Sequence, residues 1–130
     1  MQVFDASAVV AALIDNGAAG RWCASELTVD ELAAPHLLPV EVTNIVRRTE
    51  ARAAVDRSTA TQAIHDLRRL AVDYVGFDPL AERVWSLRAN LTAYDACYVA
   101  LAELVGGRLV TLDRRLARAS GIRCPVVVAP

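Results

Sequence analysis

The chain has 130 residues, a formal net charge of −1 and 55% hydrophobic content, which fits one domain able to bury a sizeable core without disulfides or structural metal. The near-zero charge excludes binding nucleic acid by bulk electrostatics alone, so any such contact must be local. All 14 basic residues are Arg, which closes chemistries that require a lysine ammonium, and the three cysteines, Cys23, Cys97 and Cys124, lack C-x-x-C spacing and read as buried free thiols.

In chain order, Val3-Phe4 reads as a short strand ending at Asp5, followed by an apolar helix over Ala8 to Ile14 that stops at Asn16-Gly17. Ala18 to Leu27 carries helical spacing, and Leu32-Ala33-Ala34 before Pro35 suits a strand. Pro39 fits a first helical turn, after which Val42, Ile45, Val46 and Thr49 recur on one face. The next helix is predicted to turn Ile64, Leu67 and Leu70 inward, with Ser58 or Asp56 as its cap.

Val72 to Phe77 is strand-like, and Asp78-Pro79 starts a helix bearing Leu80, Val84, Trp85 and Leu87. Thr92-Ala93-Tyr94-Asp95 has capping-box form and leads into a helix through Cys97 to Val105, stopped by Gly106-Gly107. Leu109 to Leu112 and Val126 to Val128 read as the last strands, with a short helix from Arg114 to Ala119 between them. This alternation predicts crossover units: an α/β fold, a three-layer α/β/α sandwich with a mainly parallel central sheet. No apolar run reaches the ~18 residues of a membrane span, and Asp5 interrupts the only stretch resembling a signal-peptide core, so a cytoplasmic protein is expected.

Four acids stand out. Asp5 and Asp113 end apolar strands, whereas Glu41 and Asp95 lie in the first turns of helices, and in a doubly wound sheet all four fall on the carboxyl edge where ligands bind. Each alone has a simpler role as a helix cap or a partner of the helix dipole. Together they repel: two carboxylates about 4 Å apart cost roughly 4 kcal/mol at an effective dielectric near 20. Oxygen ligands without a nearby His or Cys select a hard ion, Mg²⁺ or Mn²⁺ rather than zinc. Of the two imidazoles, His65 reads as surface, and His36 lies in a loop between Pro35 and Pro39.

The stretches Asp5-Ala-Ser7, Glu41-Val-Thr-Asn44, Tyr94-Asp95-Ala-Cys-Tyr-Val-Ala-Leu-Ala-Glu103 and Leu109-Val-Thr-Leu-Asp113-Arg-Arg-Leu resemble, in order and spacing, the PIN-domain ribonucleases, and within them the VapC toxins of bacterial toxin–antitoxin pairs. The resemblance spans the whole chain and implies a single PIN-like nuclease domain over residues 1–130. It implies a metal-dependent endoribonuclease in which Asp5, Glu41, Asp95 and Asp113 are catalytic, with Asp5, Asp95 and Asp113 holding Mg²⁺, Mn²⁺ able to substitute, and Glu41 orienting or deprotonating the attacking water. Ser7, Asn44 and Thr111 match positions where the family often has polar groups supporting the acids. Arg114, Arg115 and Arg118, just beyond Asp113, are suited to grip RNA phosphates, with a solvated basic helix face as the alternative. The partners implied are an RNA substrate, a VapB-like antitoxin and a second copy in a homodimer; the apolar first helix with Val42, Ile45 and Val46 reads equally as a groove for the antitoxin and as a helix face buried within the monomer.

Rival readings remain open. A catalytically silent PIN-like interaction module uses the acids only as caps. A Mg²⁺-dependent phosphotransferase or phosphatase of the haloacid-dehalogenase type needs a second Asp where Ser7 stands, and normally a Lys; a phospho-receiver domain lacks the same Lys.

Overall fold

A computed structural model describes all of residues 1–130. Five parallel strands, β1 (Gln2–Phe4), β2 (Leu32–Pro35), β3 (Val72–Val75), β4 (Arg108–Thr111) and β5 (Val126–Val128), form one sheet in the order β3-β2-β1-β4-β5. The helices are α1 (Ala6–Ile14), α2 (Ala18–Glu26), α3 (Leu38–Ala51), α4 (Arg57–Leu67), α5 (Ala81–Ser86), α6 (Ala93–Leu104) and α7 (Arg114–Arg118). Helices α1 to α4 pack on one another as one layer, and α5 with α6 forms another, with α6 lying across β1, β2 and β4. The result is the expected three-layer sandwich, its central strands apolar because helices cover both faces. No helix is long and apolar enough to cross a membrane.

The chain lays down β1, β2 and β3 in one direction, then returns through α5 and α6 to place β4 on the other side of β1. The strand order therefore reverses between β1 and β4, and the carboxyl ends of these two adjacent strands lie where open α/β sheets bind ligands. The register pairs Phe4 with Val110, so the residues that follow, Asp5 and Thr111, emerge side by side.

Local chemistry sets the boundaries. Asp5 caps α1 and Asp56 caps α4, each accepting a backbone N–H three residues on, and Thr92 does the same for α6. Gly106, at φ +65°, ends α6 in the left-handed region, and the following N–H returns to the Ala102 carbonyl. Gly20 lets α2 close on the end of α1, since a Cβ there would stand 1.9 Å from the Asp15 carbonyl oxygen.

Some details differ from the sequence expectation. Helix α1 begins at Ala6 rather than Ala8, because the Asp5 cap sets its start. Pro35 belongs to β2, and β3 stops at Val75. Leu70 lies beyond α4, whose buried face is Ala60, Ala63 and Leu67. Of the apolar residues around α5, Leu80, Val84 and Leu87 are buried, while Trp85 is 68% exposed and Arg88 covers its indole ring from 4.4 Å. Cys23 and Cys97 are buried and Cys124 only partly so; all three are free, and burial pushes the Cys23 thiol up to about 11. Val42 and Val46 are enclosed in the core, as the buried-helix alternative has it, whereas Ile45 and, on α1, Val10, Ala12, Leu13 and Ile14 remain partly exposed.

Candidate active site

Asp5 is almost wholly buried, at 6% exposure, where a carboxylate must be compensated. Its Oδ1 accepts from the Ser7 hydroxyl at 2.6 Å and from the Ala8 N–H at 3.0 Å, and its Oδ2 accepts from the Thr111 hydroxyl. Those hydroxyls are themselves fixed by β4 and its exit: Ser7 Oγ accepts from the Leu112 N–H at 3.1 Å and Thr111 Oγ1 from the Asp113 N–H at 2.9 Å. Ser7 and Thr111 thus both hydrogen-bond to Asp5. Asn44 does not join them; it is exposed and accepts from Arg47 Nε at 3.1 Å, one turn along the same helix.

The other acids come from three more elements. Glu41, in the first turn of α3, is half-buried and accepts from the buried Tyr98 hydroxyl of α6 at 3.1 Å. Asp95 is held in the first turn of α6, where its N–H donates to Thr92 Oγ1 at 3.2 Å. Asp113 caps α7, accepting the Arg115 N–H at 2.8 Å, and lies 3.8 Å from the exposed Arg115 guanidinium. Tyr98 is the residue sequence reasoning missed. Its spacing of three from Asp95 places both on one side of α6, a signal present in the chain but masked by the apolar residues around it.

The electrostatics tie the acids together. Burial raises the Asp5 carboxyl above the ordinary range against the lowering effect of its three donors, and the Asp95 charge adds to the rise. Glu41 is raised by burial and then by Asp95 and Asp5, with Tyr98 working against it. Asp95 is raised by burial and by Asp113. None of Asp5, Glu41 and Asp95 forms an ion pair with an Arg side chain. The arrangement is an oxygen-only donor set with uncompensated negative charge, which suits a hard dication. In this conformation no three Asp, Glu, His or Cys side chains stand close enough together to hold a metal ion in common.

Beyond Asp113, Arg114, Arg115 and Arg118 are all exposed, and Arg114 and Arg118 border a surface groove of about 280 Å³ with Ala117, Val128, Ala129 and Pro130. His65 is exposed, and so is His36, whose ring centroid lies 6.5 Å from that of Tyr74.

A parallel doubly wound domain with one buried and three partly buried acids around its strand-order reversal defines a class of acidic-site α/β proteins. The PIN domain family matches residues 3–122, and the chain belongs to that family. It is 42% identical over 130 residues to Ribonuclease VapC9 of Mycobacterium tuberculosis, covering 100% of this chain and 99% of that one. Among solved structures it resembles PAE2754 from Pyrobaculum aerophilum, with a TM-score of 0.68, 30% identity and coverage of 96% of this chain and 81% of the other. It shares its fold with a chain of a toxin–antitoxin complex from Klebsiella pneumoniae, with a TM-score of 0.70, 20% identity and coverage of 98% and 97%.

Proposed function

We propose that this protein is a metal-dependent endoribonuclease that hydrolyses RNA phosphodiesters and acts as the toxin of a toxin–antitoxin pair. One observation carries the reading: Asp5 is a buried acid at the β1–β4 reversal, oriented by three donors and facing further carboxylates, with no cationic side chain to neutralise it. The ribonuclease name of its 42% identical relative supports the same activity.

Asp5, Asp95 and Asp113 would hold the ion directly or through its waters, Mg²⁺ with Mn²⁺ as a substitute. Mg²⁺ is usually bound through one or two carboxylates with waters completing its shell, and the coupling of Asp5 to Asp95 and of Asp95 to Asp113 supports their sharing one site. When bound, the ion lowers the pKa of water and neutralises charge developing on the phosphoryl oxygens. Ser7 and Thr111 fix the rotamer of Asp5, so its free lone pairs keep one direction. Glu41 accepts the proton of the attacking water, and burial, which raises its carboxyl above the ordinary range, makes it a stronger base for that role. Arg114 and Arg118 grip flanking phosphates along their groove, and Arg115 assists beside Asp113.

The same reading brings a VapB-like antitoxin as partner, a homodimer and a cytoplasmic location. A silent interaction module is favoured by one observation, the capping roles of Asp5 and Asp113. Sequencing RNA ends after expression of the wild type and Asp95→Asn decides between them. New ends at a small set of sites with the wild type alone are expected; identical ends from both would overturn the reading.

A further inference from the structure

Tyr98 is 1% exposed, yet its hydroxyl is not spent on the core. It donates to Glu41 Oε1 at 3.1 Å, across 57 positions of sequence, joining α6 to α3 over the carboxyl edge of the sheet. A buried phenol whose only side-chain hydrogen bond reaches a half-buried carboxylate is a costly way to fill space, because phenylalanine would pack there with no hydroxyl to satisfy. Burial and the adjacent Glu41 charge both push the phenol upward from its ordinary range, so it stays a donor at any pH at which the protein works.

The geometry points to Tyr98 as a positioning residue for Glu41: its hydroxyl fixes one oxygen of that carboxylate and leaves the other to take a proton from water. This rests on the proposed hydrolytic role of Glu41. Helix α6 then serves both halves of the site, Asp95 on one turn and the support for Glu41 on the next. The groups that face Glu41 are Asp5 at the start of α1 and Asp95, Cys97 and Tyr98 of α6; among them only Tyr98 hydrogen-bonds to it. Burial, and after it the charges of Asp95 and Asp5, press Glu41 toward its protonated form, and Tyr98 is the one neighbour that favours the ionised, proton-accepting form.

Tyr98→Phe removes that donor and little else. The test measures cleavage of a labelled oligoribonucleotide spanning a mapped cut, with Mn²⁺, for wild type, Tyr98→Phe, Glu41→Gln and the double variant. General-base catalysis is worth about 10²- to 10⁴-fold, so a mispositioned base is expected to lower kcat by roughly ten-fold. KM should stay unchanged, and the acid limb of the pH–rate profile should move to higher pH. In the Glu41→Gln background the Tyr98→Phe change should cost nothing further. A wild-type pH profile in folded Tyr98→Phe, or an equal loss in both backgrounds, would overturn the inference while leaving the nuclease reading intact. A wild type that cleaves no RNA would instead remove the reading on which it rests.

Discussion

The Thr111 hydroxyl donates to Asp5 Oδ2, and through the same oxygen it accepts the Asp113 N–H at 2.9 Å. One side chain on β4 thus fixes the acid that ends β1 and the backbone of the acid that follows β4. The link follows from the parallel register, which sets Phe4 opposite Val110 and hence Asp5 beside Thr111.

Thr111→Val keeps the shape and removes the donor. Outer partners of metal ligands typically matter by about 10- to 100-fold in metal affinity or activity. Mn²⁺ affinity, read by titration calorimetry, is expected to fall in that range. Affinity equal to wild type would show that Asp5 is oriented by Ser7 and the Ala8 N–H alone.

Asp95→Asn should stabilise the metal-free protein at neutral pH. The Asp95 carboxyl is raised by burial and by Asp113, so the folded state binds its proton more tightly than the unfolded chain does. Its contribution is complete below the unfolded carboxylate range and is lost as pH rises through the folded value. The Asn variant cannot ionise and loses nothing in that window. Melting curves in EDTA should show the variant ahead at pH 7 and the gap closing on acidification; a gap that widens in acid contradicts the electrostatic picture.

Much of this was legible in the sequence because the deciding signals are local. Thr92 announces its helix by capping, Asp56 is one of two candidate caps for α4, and Gly106 announces a stop, whereas the Asp5 cap moves the start of α1 ahead of the sequence expectation. The acids were legible too, since each sits at a strand or helix end. What was hidden depends on distant partners. Tyr98 reads as a core residue until α3 brings Glu41 to it, and Asn44 reads as part of the site until Arg47 is seen to take its side chain. The side of α5 that is buried was not legible, because a helix of six residues is too short for periodicity to fix it.

Glu103, at the end of the same motif as Asp95, is a structural acid. Its carboxylate receives Arg83 Nε at 2.7 Å and Nη2 at 3.0 Å as well as the Arg123 N–H at 2.8 Å, while Arg83 also donates to the Gly121 carbonyl at 2.6 Å. Glu103→Ala is expected to lose about 1–3 kcal/mol in denaturant unfolding, with cleavage per folded molecule unchanged. Although burial opposes it, Arg83 and the Arg123 N–H leave the Glu103 carboxyl below its ordinary range, so its contribution is present above the unfolded value and lost as pH falls. A loss of stability that is constant down to strongly acid pH would contradict this role.

Arg114→Ala and Arg118→Ala remove charge from the groove beside Asp113 without touching the acids. Each is expected to weaken RNA binding and to flatten the dependence of log K on log salt by about 0.7 per lost phosphate contact on a single strand. Filter binding in a salt series checks this. An unchanged salt slope would assign both residues to solvated surface.

Cleavage of a labelled RNA by purified protein, followed in EDTA and after addition of Mn²⁺, for wild type beside Asp5→Asn, tests the central claim most directly. Wild type should cut only with the metal, and Asp5→Asn should remain folded and not cut under either condition. Cleavage by wild type in EDTA, or by folded Asp5→Asn with Mn²⁺, would contradict a metal site built around that buried carboxylate.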